Sequence, residues 1–155
     1  MYIALEGIDT AGKTTQIELL KKEFNFLFIK EPGFTKFGEK LREIIFNNDE
    51  ISKKSELFLF LADRSETIEK VIKPNLNKTI ISDRSVISGI AYGIEFFDFD
   101  MLVNLNKFAT DCVFPHFTNI LSIDDISNTQ SNSVVIFLYD IEIIKYCQKI
   151  ISKML

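Results

Sequence analysis

Gly7-Ile8-Asp9-Thr10-Ala11-Gly12-Lys13-Thr14-Thr15 follows the pattern G-x-x-x-x-G-K-[ST] of a phosphate-binding loop at every position. Residues 2–6 precede it, apolar up to Leu5, and predict a short buried strand. After the loop, apolar residues recur at helical spacing from Thr15 to Phe24 and predict a helix. Backbone N–H groups surround a phosphate in this order of strand, loop and helix. The stretch therefore predicts a nucleotide-binding protein.

The polar positions of this loop have separate predicted roles. Gly7 and Gly12 permit backbone angles and close approaches that a Cβ atom obstructs. Lys13 is expected to contact the β- and γ-phosphates of ATP, and Thr14 is expected to offer its hydroxyl to Mg²⁺. The alternative is a glycine turn with one exposed lysine, and the flanking strand and helix argue against it.

Length and composition predict one domain over residues 1–155, with 46% hydrophobic residues to build its core. The net charge of −4 argues against a nucleic-acid polymer as partner. Neither a membrane-spanning apolar run nor a secretory signal pattern is expected, so a cytoplasmic location is predicted. Cys112 and Cys147 lack metal-type spacing and are expected to be reduced and buried.

Further strands alternate with helices along the chain. The predicted strands cover 26–30, 78–82, 119–123 and 134–138, and the predicted helices cover 36–46, 52–72, 85–92, 101–112 and 141–154. Continuously apolar strands between helices indicate a parallel sheet covered on both faces. The fold class is therefore α/β, a P-loop NTPase fold with a five-stranded parallel sheet and ligands at the carboxyl ends of the strands.

Charged residues follow the second and third strands, where a ligand is expected. Glu31 follows the second strand, and Asp83 and Arg84 follow the third. The chain has 18 basic residues, of which only Arg42, Arg64 and Arg84 are arginines. Because arginine is the better bidentate partner for phosphates and planar base edges, these three are candidate substrate contacts.

Several segments together resemble the thymidylate kinase family. They are the P-loop, the turn Glu31-Pro32-Gly33-Phe34-Thr35, the segment Leu59-Phe60-Leu61-Ala62-Asp63-Arg64, and Asp83-Arg84-Ser85 with Ser88-Gly89 and Ala91-Tyr92. They stand in the family's order over residues 1–124. The resemblance implies ATP-dependent phosphorylation of dTMP to dTDP in dTTP biosynthesis, with Mg²⁺ as cofactor.

The resemblance also implies roles for individual residues. Arg42 and Arg84 correspond to arginines that hold the acceptor phosphate, Arg64 to an arginine at the thymine edge, and Phe60 to a ring stacked on the base. The predicted catalytic residues are Asp9, Lys13 and Arg84. The predicted ATP-binding residues are Gly7, Ile8, Asp9, Thr10, Ala11, Gly12, Lys13, Thr14 and Thr15. The predicted dTMP-binding residues are Asp9, Glu31, Arg42, Phe60, Arg64, Arg84, Ser88 and Tyr92. The predicted metal-binding residues are Thr14 and Asp83.

Each of these roles has a structural alternative. Asp83 could cap a helix, Arg42 could lie on a solvated helix face, and Glu31 could be a solvated acid at a strand end. Phe60 and Tyr92 could be plain core residues. A further alternative assigns Asp9 to a loop turn.

The segment Leu57–Ala62 is apolar on nearly all sides. A helix of that kind is either deeply buried or shared with a partner subunit. Together with the resemblance, the segment predicts a homodimer.

The chain departs from the family between its fourth and fifth strands. The family carries an arginine-bearing lid there, whereas residues 124–133 read as a short polar loop, and the chain has no arginine after Arg84. Loss of a transition-state arginine costs about three to five orders of magnitude in rate. Either the full protein has a mobile lid that this sequence lacks, or the protein is a diminished kinase. The first alternative is favoured, because lids are mobile by function and the strand and helix predicted after the gap are intact. Three functions therefore stay open: a thymidylate kinase, a kinase for another nucleoside monophosphate, and a nucleotide-binding protein without turnover.

Overall fold

The computed structural model describes residues 1–47, 50–123 and 132–138. Its strands are β1 (Tyr2–Gly7), β2 (Leu27–Lys30), β3 (Ile80–Asp83), β4 (Phe117–Ile123) and β5 (Asn132–Leu138). Its helices are α1 (Lys13–Glu23), α2 (Lys36–Asn47), α3 (Lys53–Thr67), α4 (Val86–Gly93) and α5 (Phe99–Thr110). A π-helical turn over Ile68–Ile72 and a 3-10 turn over Lys73–Asn75 follow α3. The helix predicted at 141–154 lies outside the described residues, as does the polar loop predicted at 124–133 except for its last two residues, which begin β5.

The sheet has the strand order β2-β3-β1-β4-β5. Strands β1 to β4 are parallel to one another, but β5 pairs antiparallel with β4, with Leu121 opposite Val134. The prediction of five parallel strands is therefore wrong for the last strand. The physical reason is length: β4 ends at Ile123 and β5 begins at Asn132, whereas a parallel crossover needs about a dozen residues or more.

Helical segments cover both faces of the sheet, as predicted. Successive side chains of a strand point to opposite faces. Ile80 accordingly packs with Ile68 and Ile72 beyond α3, whereas Ile81 packs with Ile17 of α1. Both faces are thereby kept from water, which explains why the strands are continuously apolar.

Gly7 ends β1 at a point where no side chain fits. Its φ is +141°, and a Cβ atom there would lie 2.4 Å from the carbonyl oxygen of Leu121 in β4. The loop can therefore leave the sheet only through a glycine. Gly12, with φ of +88°, precedes α1 in the left-handed region.

Helix α3 begins as predicted, with Ser52 accepting a hydrogen bond from the N–H of Ser55 at 3.2 Å. Leu57 and Leu61 of this helix are buried, but Phe58 is 56% exposed. The apolar segment therefore has one face in the core and one outside. Within the described residues, no helix combines the length and apolar character needed to cross a bilayer.

The prediction that Cys112 is buried is wrong. Cys112 is a free, exposed cysteine. It follows the C-terminus of α5, where Asp111 and Cys112 both adopt positive φ and the chain turns sharply. Cys147 lies outside the described residues.

Candidate active site

The P-loop holds its lysine by backbone oxygens. Lys13 Nζ donates to the carbonyl oxygens of Gly7 and Ile8, at 2.9 and 2.7 Å. Its side chain is buried, and burial together with the nearby Arg84 charge lowers the pKa of Lys13. The ammonium group is therefore kept beside the N-terminus of α1, where free N–H groups favour an anion.

Arg84 occupies an unusual backbone conformation at the end of β3. Its φ is +67°, in a region that costs a non-glycine residue about 1–3 kcal/mol. The Arg84 N–H donates to Leu5 O at 2.9 Å, and its carbonyl accepts from Ser82 Oγ at 2.6 Å. These bonds hold a conformation in which the guanidinium pairs with Asp9 and donates to Ser88 Oγ at 3.1 Å.

A buried carboxylate, Glu6, supports this arginine. Glu6 accepts hydrogen bonds from the hydroxyls of Ser85, at 2.6 Å, and Ser88. Burial raises the pKa of the Glu6 carboxyl, and the two hydroxyl donors oppose that shift. Ser88 therefore links Glu6 to Arg84. Sequence reasoning missed Glu6, although it stands at a strand end like Glu31 and Asp83.

Arg64 and Glu31 form a buried ion pair. Arg64 Nε donates to Glu31 Oε2 at 2.9 Å, Nη1 donates to Asn106 Oδ1 at 2.5 Å, and Nη2 donates to Ser85 O at 3.3 Å. Burial raises the pKa of Glu31, and the Arg64 charge opposes that shift. The alternative of Glu31 as a solvated acid is therefore wrong.

The turn after β2 is held against α3 by Asp63. This buried carboxylate accepts from the N–H of Gly33 at 3.0 Å, and burial raises its pKa. The approach of α2 requires Gly38, because a Cβ atom there would lie 2.1 Å from Asp63 Oδ1. The peptide bond before Pro32 is cis, and the Pro32 carbonyl accepts from Arg42 Nη1 at 2.8 Å. Asp63 thereby helps to place Arg42, a role that sequence reasoning missed.

Two adjoining cavities lie at this edge of the sheet. The larger, of about 550 Å³, is lined by every predicted acceptor-binding residue: Asp9, Glu31, Arg42, Phe60, Arg64, Arg84, Ser88 and Tyr92. The smaller, of about 380 Å³, is lined by P-loop residues and both predicted metal-binding residues: Asp9, Thr10, Gly12, Lys13, Thr14, Thr15 and Asp83. Four residues line both cavities: Asp9, Glu31, Arg42 and Arg84.

Comparison with known proteins agrees with this geometry. Residues 5–131 match the family model described as thymidylate kinase. The chain belongs to the thymidylate kinase family.

Similar proteins include the thymidylate kinase of Nautilia profundicola, 78% identical over 126 residues, a match that covers 80% of this chain and 64% of that protein. The thymidylate kinase of Aliarcobacter butzleri is 54% identical over 116 residues, with 74% and 61% covered. The crystal structure of a thymidylate kinase from Ehrlichia chaffeensis superposes with a TM-score of 0.72 at 37% identity, covering 77% of this chain and 73% of that one. The chain thus spans less than two thirds of the length of these two curated thymidylate kinases.

Three of the predicted ATP-binding residues line neither cavity. Gly7 and Ile8 supply carbonyl oxygens to Lys13, and Ala11 is buried. They shape the loop by backbone contacts.

The geometry also decides between several alternatives for the predicted side chains. Ser85, not Asp83, caps α4, accepting from the N–H of Ile87 at 3.3 Å. Tyr92 is 49% exposed, and the centre of its ring lies 5.7 Å from Arg84 Cζ, so it is not a core residue. Phe60 is partly buried and lines the larger cavity.

Glu6→Gln is expected to flatten the dependence of stability on pH. Because burial raises the pKa of Glu6 in the folded protein, the folded state binds a proton more tightly than the unfolded state. Stability from this group is therefore present below the unfolded pKa and is lost as the pH rises through the folded pKa. Thermal midpoints measured from about pH 4 to about pH 8 should fall more steeply for the wild type than for Glu6→Gln. Parallel curves for the two proteins would contradict this assignment.

Proposed function

We propose that this protein transfers the γ-phosphoryl group of ATP to dTMP, forming dTDP for dTTP biosynthesis. The observation that carries the proposal is the shared lining of the two cavities by Asp9, Glu31, Arg42 and Arg84. A donor phosphate at the P-loop and an acceptor phosphate in the larger cavity would meet at these four side chains. Phosphoryl transfer depends mainly on such positioning and on charge stabilisation.

On the donor side, the residues of the smaller cavity fit ATP together with Mg²⁺. Lys13 supplies a cation beside the helix N-terminus, and the Thr14 hydroxyl lines the same cavity. Asp83 Oδ1 is buried and has no hydrogen-bond partner among the described residues. Mg²⁺ prefers oxygen ligands and commonly uses one or two protein groups together with substrate phosphates, which fits Thr14 and Asp83. When bound, the ion would neutralise charge on the phosphates.

On the acceptor side, Arg42 and Arg84 would hold the dTMP phosphate. Both guanidinium groups line the junction of the cavities, and each is oriented by a backbone carbonyl: Pro32 O for Arg42 and Gly7 O for Arg84. Planar guanidinium groups bind phosphate oxygens bidentately. Asp9, paired with Arg84, would lie beside the acceptor and the transferring phosphate.

Arg64 would recognise the base and Phe60 would stack on it. Arginine has five N–H donors, and three of those on Arg64 are engaged within the described residues. The two that are left lie on Nη1 and Nη2, and they can donate to the carbonyl oxygen of thymine or uracil. Cytosine has an amino group at that position and would leave these donors unpaired. Tyr92 would lie beside the deoxyribose.

We also propose that the functional unit is a cytoplasmic homodimer. Helices α3 and α5 pack on each other and each leaves a large aromatic side chain outside the protomer, with Phe58 56% and Phe108 83% exposed. A second copy covering these rings would remove apolar surface from water.

The net charge of −4 argues against a nucleic-acid polymer as partner. It fits small phosphorylated substrates, which local basic groups can bind.

Lys13→Ala is expected to abolish measurable ADP formation from ATP and dTMP, a loss of about a hundredfold or more, because the lysine acts on phosphate charge. The matched control is Lys22→Ala, an exposed lysine of the same helix, which should keep wild-type turnover. Circular dichroism checks that both variants fold. Full turnover by folded Lys13→Ala would refute the kinase proposal.

Arg64→Lys is expected to lower the preference for dTMP over dCMP by about 1–3 kcal/mol while leaving the KM for ATP unchanged. Lysine keeps a cation beside Glu31, so the buried carboxylate is not left unpaired, but the planar pair of donors is lost. The measurement is kcat/KM for dTMP, dUMP and dCMP, with dUMP expected to be intermediate in the wild type. Arg42→Lys is the control: it should weaken all three acceptors alike. Equal use of dCMP and dTMP by the wild type would show that Arg64 does not read the base.

Phe58→Ser and Phe108→Ser are expected to weaken self-association, because each removes an apolar ring from the proposed interface. Sedimentation velocity at micromolar concentration should show a dimer for the wild type and a shift toward monomer for the variants. A wild-type monomer under these conditions would rule out the proposed dimer.

A further inference from the structure

We infer that Asn106 of α5 is a positioning residue for base recognition, which it serves by fixing the plane of the Arg64 guanidinium. The inference rests on the proposed function, in which Arg64 reads the pyrimidine edge. Asn106 is 1% exposed and lines neither of the two cavities described above, so it does not touch the substrate. Its contact with Arg64, 42 residues away in sequence, is a single hydrogen bond of 2.5 Å from Nη1 to Oδ1.

The orientation of the Asn106 amide is determined by its own helix. Nδ2 donates to the carbonyl oxygen of Leu102, one turn earlier, at 2.8 Å. The backbone carbonyl oxygen of Asn106 accepts a hydrogen bond from Thr110 Oγ1 at 2.9 Å, which links Asn106 to the next turn of the helix. With the amide nitrogen committed to Leu102, only the amide oxygen can face Arg64. A flipped amide would set donor against donor, since a guanidinium cannot accept a hydrogen bond.

Three acceptors from separate elements hold the guanidinium. Glu31 follows β2, the Ser85 carbonyl lies before α4, and Asn106 belongs to α5. A planar group held at Nε, Nη1 and Nη2 cannot rotate without breaking at least one of these bonds. Gly89 of α4 also packs against the guanidinium, since a Cβ atom there would lie 2.8 Å from both terminal nitrogens. The two free N–H bonds therefore have fixed directions.

Removal of the Asn106 oxygen would change this arrangement at one point. The Nη1 donor would be buried without a partner, and an unpaired buried donor is costly. A turn of the guanidinium that pairs this donor elsewhere would then be favoured, and the two ligand-facing N–H bonds would move with it. The expected result is weaker discrimination between a carbonyl oxygen and an amino group on the base, with the ATP site unchanged.

The test compares Asn106→Leu, which has similar volume and no acceptor, with Asn104→Leu on the exposed side of the same helix. The readouts are kcat/KM for dTMP and dCMP, and the affinities of both nucleotides by calorimetry. Asn106→Leu should lower the dTMP-to-dCMP ratio about three- to tenfold, and Asn104→Leu should leave it unchanged. Asn106→Asp keeps both the size of the side chain and an acceptor oxygen toward Arg64, so it should retain the wild-type ratio. A purely packing role would leave the ratio unchanged in Asn106→Leu as well, because leucine fills a similar volume. Asn106→Ala replaces the leucine variant if that variant fails to fold.

The outcomes separate this inference from the proposed function. If Arg64→Lys lowers the ratio and folded Asn106→Leu or Asn106→Ala does not, the positioning role is overturned and the kinase proposal stands. If neither position affects the ratio, base reading by Arg64 is wrong and the inference falls with it. If dTMP is bound but not phosphorylated, the calorimetric ratio still decides the role of Asn106.

Discussion

The arrangement of this site depends on the burial of one positive charge. Arg64 is 4% exposed, and a buried guanidinium is tolerated only when opposite charge and hydrogen-bond acceptors surround it. Those partners come from the turn after β2, from the start of α4 and from α5. The need to satisfy Arg64 therefore brings separate elements together around one cavity. A buried ion pair of this kind adds little to stability compared with an apolar core, but removing one partner costs about 3–5 kcal/mol.

A buried negative charge forms the counterpart on the other side of Ser85. The Ser85 hydroxyl donates to Glu6, while its carbonyl accepts from Arg64. Glu6 also accepts from Ser88, which in turn accepts from Arg84. Ser85, Glu6 and Ser88 thus connect the two arginines to which the proposed mechanism assigns base recognition and phosphate binding, Arg64 and Arg84. Such preorganisation lowers the cost of orienting charged groups when a substrate binds.

Backbone strain occurs in the P-loop and at the end of β3, beside these polar contacts. Thr10 and Arg84 both have positive φ, and Arg84 lies where β3 meets α4. Strain of this kind persists only where surrounding contacts enforce it. For Arg84 these contacts are a hydrogen bond to β1 and one from Ser82, both on buried strands. Strands β1 and β3, which pair in parallel, thereby sustain the conformation that directs Arg84 toward the P-loop.

Sequence reasoning correctly predicted the P-loop, the α/β class, the strands and helices up to β5, and the eight acceptor-binding residues that line the larger cavity. These properties come from local spacing, from side chains at strand ends and from a family resemblance carried by short segments. The short connection before β5 already favoured an antiparallel strand, whereas the exposure of Cys112 and the burial of Glu31 became visible only in the folded protein. Tertiary structure also decided the roles of Glu6, Asp63 and Asn106. The carboxylates of Glu6 and Asp63 and the amide of Asn106 find their partners 30 or more residues away in sequence. No periodicity encodes such a contact, because it arises only when separately formed elements pack and their buried polar groups must be paired.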